Sequence, residues 1–183
     1  NKYINDFYGK DRLGSISALS RYCKDAATGN SDLFTKNDCR VYATSELSNS
    51  RYAITKYVNS NVSMNITNVT DEKSLKLSTS RGNAEYANWI IYRLTDVMLM
   101  KAEACILKGE AEYETAFTLI NAVNKRAHNY TTSAAKDTLV FDDYRTSQEK
   151  MEQLLFDERN REFMFEGKRW YDLVRMAVRD GNN

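Results

Sequence analysis

Glu158, Glu162 and Glu166 stand four residues apart in one charged run. Three carboxylates at that spacing are equipment for acid–base, metal or ion-pair chemistry. At about 100° per residue, a helix puts them on the stripe that also carries Met151, Leu154, Leu155 and Phe165. A lone charge on a core-facing stripe is costly, and carboxylates one turn apart repel each other. Cations must therefore reach them. The arginines in range are Arg93 on an earlier segment, Arg159, Arg161 and Arg169 nearby, and Arg175 further along, with Asp172 as another acid among them. Arginine suits the task because its planar fork bridges two carboxylates at once.

Paired carboxylates also hydrolyse glycosides, but that chemistry needs one carboxyl kept protonated beside a cleft. So many arginines would instead drive the carboxyls toward their charged form. A di-iron site wants Glu-x-x-His on facing helices, and the single histidine, His128, lacks that spacing. No Gly-x-Ser-x-Gly, glycine-rich phosphate loop or dinucleotide fingerprint occurs. Arg93, Glu158, Arg159, Arg161, Glu162, Glu166, Arg169, Asp172 and Arg175 thus read as a structural ion-pair network. No catalytic residue, metal or cofactor is expected.

Bulk properties narrow the class further. The 183 residues hold 26 basic and 25 acidic side chains, interleaved rather than clustered, so no electrostatic footprint for nucleic acid exists. No apolar run is long enough to span a bilayer as a helix. Cys105 sits in an apolar helical pattern as a small hydrophobe, whereas Cys23 and Cys39 lie in looser sequence and could pair in an oxidising medium. Twelve tyrosines favour a contact surface, since each offers apolar area plus a hydroxyl.

The elements that must position the carboxylates fall in the second of two regions. Residues 1–85 are rich in Ser, Asn, Thr and Asp and read as loop-rich. Leu13, Ile16, Leu19, Cys23 and Ala26 could line one helix face, and Arg51 to Val62 suits a short strand or hairpin. Asn59 to Asp71 reads as loop and contains three Asn-x-Ser/Thr acceptor patterns. Residues 86–183 predict four helices: about Trp89–Lys108, closed by Gly109; about Glu110–His128; Thr146 to Glu166, ending at Gly167; and Lys168–Arg179. The first is apolar on most sides, which suits a helix interior to an array. The second carries Tyr113, Ala116, Phe117, Ile120, Val123, Asn124 and Ala127 on one face. Thr146-x-x-Glu149 forms a capping box for the third, and the fourth is expected to bury Trp170, Leu173, Val174 and Ala177. The first pair also follows the small/large alternation of a tetratricopeptide repeat, from Met98 to Val123. The expected fold is mainly α, built of tetratricopeptide-like helix pairs, with a loop-rich N-terminal portion carrying little β.

Two segments carry a family resemblance. Trp89-Ile-Ile-Tyr-Arg-Leu-Thr-Asp-Val-Met-Leu-Met-Lys-Ala-Glu-Ala104 resembles the Tyr-Arg-x-x-Asp-x-x-Leu-x-x-Ala-Glu-Ala helix of the SusD/RagB family, nutrient-binding outer-membrane lipoproteins of Bacteroidetes. Asp157-Glu-Arg-Asn-Arg-Glu-Phe-Met-Phe-Glu-Gly-Lys-Arg-Trp-Tyr-Asp-Leu-Val-Arg175 resembles its Glu-Arg-x-x-Glu-x-x-x-Glu-Gly-x-Arg-Trp-x-Asp-Leu-x-Arg signature. Asn121 to Ala127 lies between them as the family's Ile-Asn-x-Val-Arg-x-Arg-Ala segment does, with Asn124-Lys125 departing from it. Before Trp89 the best local match is Lys56-Tyr57, and Ile90 stands where a proline is common.

The resemblance implies a SusD-like α/α superhelix and a non-enzymatic role. It implies a cell-surface protein that captures glycans or other nutrients for import through a TonB-dependent SusC-type transporter. Family members are longer, so the chain is expected to be an internal or C-terminal piece, with membrane contact only through a lipid anchor outside it. The signature helices, including Trp89 and Trp170, are expected to pack. Ligand contacts are expected on aromatics of the first region: Tyr3, Phe7, Tyr8, Tyr22, Phe34, Tyr42 and Tyr52. A tetratricopeptide-type module that binds a peptide is the alternative.

Overall fold

The computed structural model describes residues 33, 34, 38, 40, 45–48, 51–54, 56, 60–66, 75–81, 89–128 and 139–181, the four strands by their backbone alone. Among the described residues, two antiparallel hairpins precede the helical part. β1 (Ser45–Ser48) pairs with β2 (Arg51–Ile54), setting Ser45 opposite Ile54 and Leu47 opposite Tyr52. β3 (Ser60–Ile66) pairs with β4 (Leu75–Arg81), setting Val62, Met64 and Ile66 opposite Thr79, Leu77 and Leu75. β3 falls where the Asn-rich composition predicted a loop. Its alternating Val62, Met64 and Ile66 is a period-two pattern, and that outweighs the poor strand propensity of Asn61 and Asn65 in the same strand.

The helical part positions the carboxylates. α1 spans Leu94–Lys108, and α2 spans Tyr113–His128 after a single 3₁₀ turn at Glu110–Glu112. Gly109 closes α1 at φ 107°, its N–H bonded to the Ile106 carbonyl at 3.1 Å. α1 and α2 pack as a hairpin. α2 buries the whole face read from its sequence and adds His128, whose Nδ1 lies 2.8 Å from the Asn124 carbonyl. A short α3 (Phe141–Tyr144) leads into α4 (Gln148–Glu162), and α5 spans Arg169–Arg179. α4 lies across both helices of the hairpin. The core forms where Leu99, Ile106, Ile120 and Val123 meet Met151, Leu154 and Leu155. Phe117 stacks at a tilt on Phe141, 5.2 Å between ring centroids, and so fixes α3 to this core.

The helices depart from the sequence pattern at four places. α1 begins at Leu94 rather than Trp89 and buries one face only, including Leu99, Ala102 and Ile106; Leu94, Val97, Met100 and Leu107 are exposed among the described residues. The N-cap of α4 is Ser147, not Thr146: its hydroxyl accepts from the Lys150 N–H at 3.3 Å. α4 also stops at Glu162, one turn before the expected end. The chain then turns, with Phe165 at φ 65° and Gly167 at φ 73°. Phe163, not Phe165, therefore joins the core. On α5 only Asp172 and Leu173 are fully buried; Trp170 and Val174 are exposed.

Candidate functional site: a buried carboxylate joint

Glu158 and Glu162 are one turn apart at the C-terminal end of α4, and Glu166 lies in the turn that follows. All three are buried. Ending the helix at Glu162 frees the next four residues to curl back, so Glu166 reaches the same cluster without continuing the helix.

Each carboxylate is met from several directions. Glu158 Oε1 accepts from Arg40 Nη1 at 2.7 Å. Its Oε2 accepts from Arg161 Nη2 at 2.9 Å and from Asn124 Nδ2 at 3.2 Å. Glu162 Oε2 accepts from Arg40 Nη1 at 3.1 Å, while its Oε1 takes Arg126 Nη2 at 2.5 Å and also Arg93 Nη1. Glu166 Oε1 accepts from Arg93 Nη2 at 2.8 Å and pairs with Lys56 Nζ at 2.7 Å. Arg40 is itself oriented by Asp38, whose Oδ2 accepts from Nη2 at 2.6 Å. Arg161 Nη1 donates to the Leu33 carbonyl at 3.2 Å.

A second cluster adjoins the first. Arg159 sets its fork on Asp172, Nε to Oδ2 at 3.0 Å and Nη2 to Oδ1 at 2.9 Å, and reaches Asp96 Oδ1 with Nη1 at 3.2 Å. Lys168 donates to the other oxygen of Asp96. Between the clusters lies the buried ring of Phe163. Arg93, Arg159 and Lys168 stand 4.7, 5.0 and 5.1 Å from its centroid. The negative faces of the ring favour cations there, so one apolar residue separates two ionic groups while attracting the positive members of both.

The electrostatics oppose acid catalysis. Burial alone pushes the Glu162 carboxyl up, but hydrogen bonds from Arg126 and Arg93 outweigh it and hold the group at about 2. Burial likewise acts to raise Glu158, and the charges of Arg40 and Arg161 bring it below the ordinary carboxylate range. Both stay charged at neutral pH and have no proton to give a leaving group. Among the described residues, no group of His, Cys, Asp and Glu is arranged to hold a metal ion, and no helix is long and apolar enough to cross a membrane.

The predicted partners divide. Arg93 and Arg161 reach the carboxylates on the α4 stripe, and Arg159 turns instead to Asp172 and Asp96. Arg175 pairs with Glu103 at 2.9 Å and Asp172 at 3.1 Å, and Arg169 Nη1 donates to the Phe156 carbonyl at 3.4 Å. Sequence reasoning missed Arg40, Lys56 and Arg126 as partners. Arg126 sits off the buried face of α2, and Arg40 and Lys56 belong to a region without helical periodicity; the one local signal was the Lys56-Tyr57 match. Of the candidate ligand aromatics, Tyr3, Phe7, Tyr8, Tyr22 and Tyr42 lie outside the described residues, as do Cys23 and Cys39. Tyr52 lies on β2. Phe34 is 1% exposed and offers no ring face to solvent. Trp89 and Trp170, expected to pack, are 59% and 46% exposed among the described residues.

Among curated proteins and among solved structures, none matches the chain. The model of the SusD family matches residues 1–183, which takes in the hairpins, the helical array and both ionic clusters. The chain belongs to the SusD family.

Proposed function

We propose that this protein is a non-catalytic, cell-surface component of an outer-membrane uptake system. It binds a glycan or related nutrient and passes it to a TonB-dependent transporter of the SusC type. The observation that carries this reading is the family match over the whole chain, since the SusD family is in general one of glycan- or nutrient-binding proteins at the outer membrane. The carboxylate joint supports the non-catalytic part: its acids are buried, charged and shared among cations.

On this reading the joint is scaffold, and residues 1–85 carry the ligand-facing surface, with Tyr3, Phe7, Tyr8, Tyr22, Tyr42 and Tyr52 as the aromatics to test. Ring faces stack on sugar C–H surfaces while Asn, Asp and Arg bond the hydroxyls. The test is calorimetric titration of the full-length protein against a polysaccharide panel, with chromatography of the products. Saturable binding with intact polymer is expected. Cleavage, or no affinity for any nutrient class, would sink the proposal. The α1–α2 hairpin favours a second reading, a peptide-binding helical module, and capture of a defined peptide without any glycan response would favour it.

A further inference from the structure

We propose that the β1–β2 hairpin is pinned to the carboxylate joint by both of its feet, so that Arg40 and Lys56 are positioning residues for the ligand-facing region. The pinning stands on geometry alone; the ligand-positioning half rests on the function proposed above.

Arg40 precedes β1 and Lys56 follows β2, and both end on the same joint. Arg40 Nη1 lies between Glu158 and Glu162, at 2.7 and 3.1 Å. Its Nε and Nη2 are turned to Asp38, at 2.9 and 2.6 Å. Lys56 Nζ meets Glu166 Oε1 at 2.7 Å, the Glu162 carbonyl at 2.8 Å and the Met164 carbonyl at 3.1 Å. An ammonium has three N–H donors, and these three acceptors account for all of them. Its position is thereby specified in three directions.

A two-stranded hairpin is marginal in water without support from elsewhere. One anchor would leave it free to swing about that point. Two anchors, one on the α4 carboxylates and one on the turn that follows them, restrict its orientation as well as its distance. Because both are charge-assisted, they specify geometry more narrowly than an apolar contact would. Lys56 also takes two carbonyls from the turn that holds Phe165 at positive φ, so the foot of the hairpin and that turn order each other.

Hydrogen exchange on the full chain, read by mass spectrometry, tests the pinning. Lys56→Met, which removes all three bonds of the ammonium, should speed exchange across Ser45–Ile54 at least about tenfold, with α1 and α2 unchanged. Lys56→Gln should give the same pattern more weakly and serves if the methionine variant does not fold. Unchanged exchange in the hairpin, or equal acceleration in α1 and α2, overturns the pinning. For a glycan that binds the wild type, Lys56→Met should also weaken affinity about fivefold. Faster hairpin exchange with unaltered affinity overturns the positioning role and leaves the pinning intact. If the wild type binds no glycan, the functional reading has failed, and exchange alone decides the pinning.

Discussion

Arg40 Nη1 donates to Glu158 Oε1 at 2.7 Å across 118 positions of the chain, and both side chains are buried. The bond joins the region before the first hairpin to the end of α4. Arg40 is at the same time held by Asp38, and Glu158 by Arg161 and Asn124, so neither partner enters the pair alone. Buried charges of this kind persist only when fully partnered, and here the partners come from parts of the chain that are remote in sequence.

Glu162→Gln should destabilise the fold by about 3 kcal/mol, the usual cost of removing one member of a buried pair and leaving its cations behind. Arg40, Arg93 and Arg126 all converge on this carboxylate. Arg126 is more than half exposed at its side chain, so water screens its share, and Arg126→Ala should cost less than Arg93→Ala. Urea midpoints at pH 7 measure both. A normal midpoint for Glu162→Gln combined with loss of a glycan-cleaving activity would instead revive the glycosidase reading.

Acid should weaken the protein through the same residue. Glu162 is held at about 2 when folded, below its ordinary value near 4.5. Its contribution is therefore fully present above about pH 4.5 and drains away as pH falls through about 2. The gap corresponds to about 3 kcal/mol. Glu158, also lowered, adds with the same sign. Urea unfolding at pH 7, 5 and 3 should show wild type and Glu162→Gln converging toward low pH; parallel curves would count against this account.

Arg159→Lys should behave as a disruptive change although the charge is kept. The guanidinium places two parallel donors on Asp172 and a third on Asp96, and an ammonium offers no fork to reproduce that geometry. A loss of about 2 kcal/mol is expected, since hydrogen bonds to charged groups are the stronger kind. Thermal unfolding checks it, and a transition within one degree of wild type would show that lysine fits.

Gly109→Ala should cost about 1–2 kcal/mol through backbone strain alone. A Cβ at Gly109 would meet nothing within 4 Å, so space does not require glycine there. The φ of 107° does. Denaturant titration measures the loss, and Gly109→Asn should cost no less, since its ψ of −175° lies outside the left-handed helical region that asparagine tolerates.

Much of the helical part was legible because period and burial agree there. The buried face of α2 follows its 3.6-residue pattern throughout, and Glu158 and Glu162 lie where the α4 stripe predicted. Helix ends were less legible. The expected end at Gly167 follows the preference of helices to stop at glycine, yet α4 stops a turn earlier, where Lys56 and Arg93 take up the Glu162 carbonyl. Those cations come from other segments, so no local pattern announces them. The exposed apolar residues of α1 show the same limit: composition shows that a face is apolar, not what covers it. Membership of the family was legible because its signature coincides with the ion-paired residues, whose identities the buried charges constrain most tightly.

The separations along the chain suggest an order of assembly. α1 and α2 meet across one tight turn, whereas the bonds of the joint span 118 positions from Arg40, 108 from Lys56 and 73 from Arg93. Short-range contacts close first because their loops cost less entropy, so the helical hairpin should be built before the joint. Variants at Glu162 should then speed unfolding and leave the folding rate nearly untouched, which the two arms of a chevron plot separate. The buried charges would govern how long the native state lasts once made, and the apolar helix pair how quickly it is reached.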